Sequence, residues 1–132
     1  MTETLIQLAA LARQKAYAPY SGYQVGAALL DGAGNVWTGC NVENVSYGVS
    51  ICAERTAVAK MVSEGCREVR AIAVATRDGG MPCGLCLQTL LEFAGDPSSV
   101  EVQTVSENGD IAKFVLSDLI PHGFRSSDFG RT

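Results

Sequence analysis

The chain has 132 residues, 47% hydrophobic and 18% charged, with a formal net charge of −4 and a sequence pI near 4.9. That length and balance suit one folded domain over residues 1–132 and exclude a disordered chain. The acidic balance argues against a duplex DNA or long-RNA binder, which needs a basic face, and favours a small neutral or cationic ligand.

Residues 2–15 read as an amphipathic helix, with Leu5, Leu8, Leu11 and Ala12 at helical spacing. Ala18-Pro19-Tyr20-Ser21-Gly22 breaks the pattern. Apolar runs at 25–30 and 36–40 flank the turn cluster Asp31-Gly32-Ala33-Gly34-Asn35, which predicts a β-hairpin. A polar connection over 41–49 leads to a helix over 52–63, closed by Gly65. Residues 69–76 suit a central strand buried on both faces. A second helix over 84–93 ends near Gly95. Runs at 100–105 and 111–115 flank Asn108-Gly109, a strong hairpin signal, and a tail with turn residues follows. The order α-β-β-α-β-α-β-β predicts an α/β fold with a mixed sheet covered by helices.

No apolar run reaches the ~18 residues of a membrane span, and the N-terminal stretch carries Glu3 without a basic leader. Neither a membrane anchor nor a signal peptide is expected. Five cysteines, an odd number, with one Cys-x-x-Cys, favour metal or redox chemistry in a reducing, cytoplasmic setting over structural disulfides.

The chemistry gathers at two helix starts. Cys52 and Glu54 open one, and Cys83 and Cys86 open the other, with Pro82 expected in its first turn. The i, i+3 spacing puts Cys83 and Cys86 on one side of a helix turn, and the positive dipole ends favour thiolate. Cys52 would add a third sulfur and leave a zinc ion one ligand short of a closed structural site, as catalytic zinc requires. Three thiolates on Zn²⁺ carry a formal charge of −1, which Arg55 can offset. Glu54 is placed to move a proton from a zinc-activated water. The blander readings are a structural half-site, a redox pair or two core thiols for Cys-x-x-Cys, and a dipole-complementing Glu54. Cys40 and Cys66 read as ordinary thiols, and His122 as a surface residue. Asn41 and Glu43 alternate by two on an extended segment and share a side; alone they read equally as an exposed turn.

Cys52-Ala53-Glu54 followed by Pro82-Cys83-Gly84-x-Cys86 resembles the zinc-dependent nucleoside deaminases, a signature and mechanism known for that family. Gly39 to Gly48, Ile51 to Ala57, Ala18-Pro19-Tyr20-Ser21, Val25 to Leu29 and the tail Leu119-Ile120-Pro121 with Phe124 are similar to the small homotetrameric cytidine deaminases. The resemblance spans nearly the whole chain. It implies a three-layer α/β/α fold on a five-stranded mixed sheet. It also implies one zinc per chain on Cys52, Cys83 and Cys86, with Glu54 as proton shuttle to the pyrimidine N3 and the leaving amino group. Hydroxide would attack C4, ammonia would leave, and cytidine or 2′-deoxycytidine would become uridine or 2′-deoxyuridine in pyrimidine salvage. Asn41 and Glu43 match the positions that hold the ribose hydroxyls. By the same resemblance Tyr23, usually Phe in such proteins, would pack against the ligand, with one added hydroxyl to satisfy. Phe124 matches the aromatic that covers the base from a neighbouring subunit in that family, and Tyr47 matches a position at such an interface.

One position departs from the pattern: Leu87 follows Cys86 where arginine is usual. That motivates a second reading, deamination of a modified cytosine nucleoside or nucleoside antibiotic. A third is a non-catalytic zinc- or nucleoside-binding protein, since fold does not guarantee activity. A polynucleotide editor fits least, because no basic channel with stacking aromatics is evident.

Overall fold

Side chains alternate across a strand, so a buried sheet needs cover on both faces. In the computed structural model, which describes residues 2–129, five strands form one mixed sheet. The elements are α1 (Thr2–Arg13), β1 (Gly26–Asp31), β2 (Val36–Cys40), α2 (Ala53–Ser63), β3 (Val69–Ala75), α3 (Gly84–Glu92), β4 (Glu101–Val105), β5 (Ile111–Val115) and α4 (Leu116–Leu119). Short 3-10 turns occupy Tyr47–Val49, Pro97–Ser99 and Ser126–Phe129.

The strands lie in the order β2-β1-β3-β4-β5. β1 is antiparallel to β2 and β3, and β4 to β5; β3 and β4 are parallel. The parallel pair is the one joined through α3, as a crossover connection requires.

Register sorts the core into two. Ala28 and Ala73 are paired, and with Ala75 and Val105 they pack against Leu5 and Ala9 of α1. Ala27, Leu29, Ile72, Val74 and Val102 pack instead with α2 and α3, through Ala53, Ala57, Met61, Leu87 and Leu90. The three layers expected from the sequence are present. Gly39 sets how close α2 lies: a Cβ there would sit 2.5 Å from the Ala53 carbonyl oxygen and 2.7 Å from the Ala57 nitrogen. That contact presses the first turn of α2, next to Cys52, onto β2.

Several boundaries move. Helix α1 stops at Arg13 rather than residue 15, because Gln14, Lys15 and Ala16 turn to carbonyls three residues back. β1 starts one residue later than expected, β3 ends one earlier at Ala75, and β4 starts at Glu101. Arg70 is exposed and Ala71 half-buried, so β3 is covered fully only from Ile72 onward. Gly65 closes α2 with φ +96°, as predicted, but Gly95 has no left-handed backbone and α3 ends at Glu92 instead. The four-residue helix α4 was not foreseen.

The first hairpin is tied by a buried carboxylate. Asp31 accepts from the backbone of Ala33 at 2.8 Å and of Asn35 at 2.9 Å, and from the Trp37 indole at 2.8 Å. Burial alone would raise its pKa; the Trp37, Asn35, Cys66 and Ala33 donors outweigh that and hold it well below the usual carboxylate range. Asp31→Ala is expected to destabilise the fold by about 2–4 kcal/mol, since it breaks up the network around a buried carboxylate and leaves its part-buried donors without their acceptor. Because folding lowers this pKa, the stabilisation is present above about pH 4 and fades as pH falls through the folded value. Urea unfolding at pH 7 and pH 3, followed by Trp37 fluorescence, measures both: the mutant's deficit should shrink at the lower pH.

Candidate active site

Cys52 is the N-cap of α2 and Cys83 the N-cap of α3. Each has an extended backbone whose carbonyl starts its helix, through Thr56 N–H and Leu87 N–H at 3.0 Å. Neither sulfur caps its own helix. Pro82 therefore precedes the N-cap instead of occupying the first turn, a correction to the sequence reading. Cys86, fully buried, joins from the first turn of α3. The three sulfurs lie within 4.8 Å of one another, with Cys83 and Cys86 3.5 Å apart.

Tetrahedral zinc–thiolate geometry, at ~2.3 Å per bond, puts sulfurs about 3.8 Å apart. The cluster fits such an ion with small adjustments, and three donors leave one position open. Cys40 and Cys66 lie outside it, and His122 is exposed.

The electrostatics are lopsided. Cys52 is lowered to about 5, chiefly by the thiol hydrogen bond from Cys86 and then by Arg55, against the effect of burial. Cys86 is pushed up, because it donates to Cys52 and is buried. Arg55 Nη2 donates to the Ser50 carbonyl at 3.2 Å and to Cys52 Sγ at 3.7 Å. Its Nε is buried without an acceptor among the described residues. Glu54 is 4% exposed. Burial raises its pKa, and the negative charge at Cys52 adds to that.

Part of this cluster faces a pocket of about 350 Å³. Cys52, Glu54 and Cys83 line it, as do Asn41, Glu43 and Tyr23. The Asn41 amide accepts from Val25 N–H and donates to the Tyr23 carbonyl, both at 2.9 Å. Glu43 accepts from the Tyr20 and Ser21 backbones at 3.0 and 3.1 Å and from the Ser21 hydroxyl. Both side chains thus hold the 20–25 segment in place while lining the cavity. The Tyr23 hydroxyl donates to Asp78 at 2.6 Å, and the Arg77 guanidinium lies 5.4 Å from its ring centre.

Phe124 and Tyr47 do not line this pocket. Phe124 is 58% and Tyr47 76% exposed, the latter edge-on to Tyr20 at 6.3 Å. Leu87 belongs to the apolar core between α2 and α3 and the sheet. Sequence reading missed Thr76, Gly80 and Met81 in the pocket wall and Asp78 behind it. Only their place just before Cys83 hinted at them.

The fold and the site together define an α/β protein with a three-thiol cluster able to hold a metal ion beside a pocket sized for a small molecule. A family model for the cytidine and deoxycytidylate deaminase zinc-binding region matches residues 1–101. A cytidine deaminase from Halalkalibacterium halodurans is 46% identical over 128 residues, 96% of each chain. One from Sporosarcina psychrophila is 42% identical over 128 residues, 96% of this chain and 93% of its own. A crystal structure of cytidine deaminase from Burkholderia pseudomallei superposes with a TM-score of 0.87 at 44% identity, covering 94% of this chain and 99% of that one. The chain belongs to the cytidine and deoxycytidylate deaminase zinc-binding family. Its cofactor is zinc, and the Cys52, Cys83 and Cys86 cluster offers a fitting donor set.

Proposed function

We propose that this chain hydrolyses cytidine and 2′-deoxycytidine to uridine and 2′-deoxyuridine with release of ammonia, in pyrimidine salvage, as one catalytic domain. The observation that carries the proposal is the buried Glu54 two residues beyond Cys52, lining the same pocket as Cys52 and Cys83 of the three-sulfur cluster. Relatives covering nearly all of the chain support the substrate class.

In this reading Cys52, Cys83 and Cys86 hold the metal. Bound zinc supplies a water acidified enough to act as nucleophile near neutral pH. Glu54, whose burial raises its pKa and so strengthens it as a base, would take one proton from that water and pass it to N3, then take the second from the hydroxyl added at C4 and pass it to the departing amine. Arg55 offsets the negative charge of the thiolates through its contact with Cys52. Asn41 and Glu43 bind the ribose hydroxyls, helped by their fixed orientation, and Tyr23 packs against the base.

The chain acts as a homotetramer with shared pockets. Support comes from an exposed apolar stretch with Val45, Tyr47, Val49 and Ile51, and from the exposed Leu85 and Phe124. Phe124 lies outside its own chain's pocket, as a residue serving a neighbour's pocket must. Among the described residues no helix is long and apolar enough to cross a membrane. Five unpaired cysteines support a cytoplasmic setting.

Mixing zinc-assayed protein with cytidine and following ammonia and the ultraviolet change tests the reaction. Stoichiometric uridine supports it. No conversion by folded, zinc-loaded protein would overturn it and turn attention to modified cytosine nucleosides or a binding role.

A further inference from the structure

Helix α3 does more than carry two of the cysteines. Three consecutive tail residues are fastened to one side of it. The Gln88 amide accepts from Phe124 N–H at 3.1 Å and donates to the Phe124 carbonyl at 2.7 Å. Gly123 lies flush on Leu91, where a Cβ would come within 2.3 Å of Leu91 Cδ2. Arg125 Nη2 donates to the Ala94 carbonyl at 3.1 Å. Gln88, Leu91 and Ala94 recur every three residues, so they form one track along the helix and its end. Gln88 mimics a peptide group: one amide satisfies both backbone polar groups of Phe124, leaving the ring 58% exposed.

We propose that Gln88 is the positioning residue for Phe124, fixing the backbone so that the ring is presented ready-made to a neighbouring copy's nucleoside. The inference rests on the reading of Phe124 given above. A pre-set ring loses less freedom when substrate binds, so the benefit is in affinity. It does not touch the proton transfers.

The test compares Gln88→Met, Phe124→Ala and the double variant with cytidine as substrate. Gln88→Met keeps length and helix propensity but removes both bonds. It is expected to raise KM by about tenfold and leave kcat within about twofold, the signature of lost uniform binding. Hydrogen exchange at the Phe124 amide should quicken, with zinc content and assembly unchanged. The double variant should match Phe124→Ala alone, because Gln88 acts only through that ring. Gln88→Glu, which still accepts from Phe124 N–H, should recover part of the affinity and provides a second probe if the Met variant folds poorly. A normal KM in Gln88→Met alongside a raised one in Phe124→Ala overturns this inference alone. Multiplying effects in the double variant, or a fall in kcat or zinc, overturn it too. A normal KM in Phe124→Ala removes the reading of Phe124 and this inference with it.

Discussion

Glu54→Gln is expected to keep one zinc per chain and to lose cytidine turnover by at least about 10³-fold, the scale of a positioned acid–base group. Gln matches the size of Glu and should sit in the same buried place, but it cannot carry a proton. Glu54 ligates nothing in the proposed site, so the sulfur cluster and the pocket wall should survive. Its surroundings suit the role: 4% exposure and the neighbouring Cys52 charge both favour the protonated carboxyl. A non-catalytic zinc protein would have no use for such a group. Steady-state kinetics with elemental analysis of the same sample measures both quantities. Full turnover in the variant would show that another group moves the proton.

Cys83→Ala should behave differently, failing at the metal instead of at the proton. Cys83 is exposed and serves as N-cap of α3, with its sulfur 3.5 Å from Cys86. Removing it leaves two donors from separate helix starts, too few for a tight tetrahedral site. Zinc per chain should fall below about one tenth, with turnover falling alongside. The melting temperature should also drop, because a metal that binds only the folded chain stabilises it by mass action. Retention of one zinc per chain would mean that the ligand set is wrong.

Much of this was legible because the relevant signals are local. Two hairpins announce themselves through turn clusters between apolar runs, and the cysteine spacing follows from the helix repeat. The N-cap placement of Cys52 and Cys83 was only half visible: composition placed them at helix starts but could not say which residue had left the helical backbone. α4 has four residues, too few to show a period. Gly95 looked like a stop, yet Ala94 bridges to Val69 and the chain leaves α3 before reaching it. The hydroxyl on Tyr23 was expected to need a partner. That the partner is Asp78, 55 residues on, depends on how β3 ends beside the 20–25 segment. The hold of Gln88 on the tail was not foreseen, because an amide on a helix usually faces water. Leu87 looked like a loss of charge near the metal; in the fold it is part of the apolar core.

The position of β3 also governs the timing of assembly. The hairpins β1–β2 and β4–β5 close over short loops, whereas β3 must pair with β1 and β4 across distant stretches of chain. α2 leads into β3 and α3 leads out of it, so the cysteine from one helix meets the pair from the other only once that strand is seated. Closing long loops is the slow part of folding, and a ligand of the finished product cannot hasten it. Zinc added to a refolding chain should therefore leave the folding rate nearly unchanged and slow unfolding. Stopped-flow chevrons with zinc and with chelator would reveal this as a shift of the unfolding limb alone, making the metal a brake on loss of the fold.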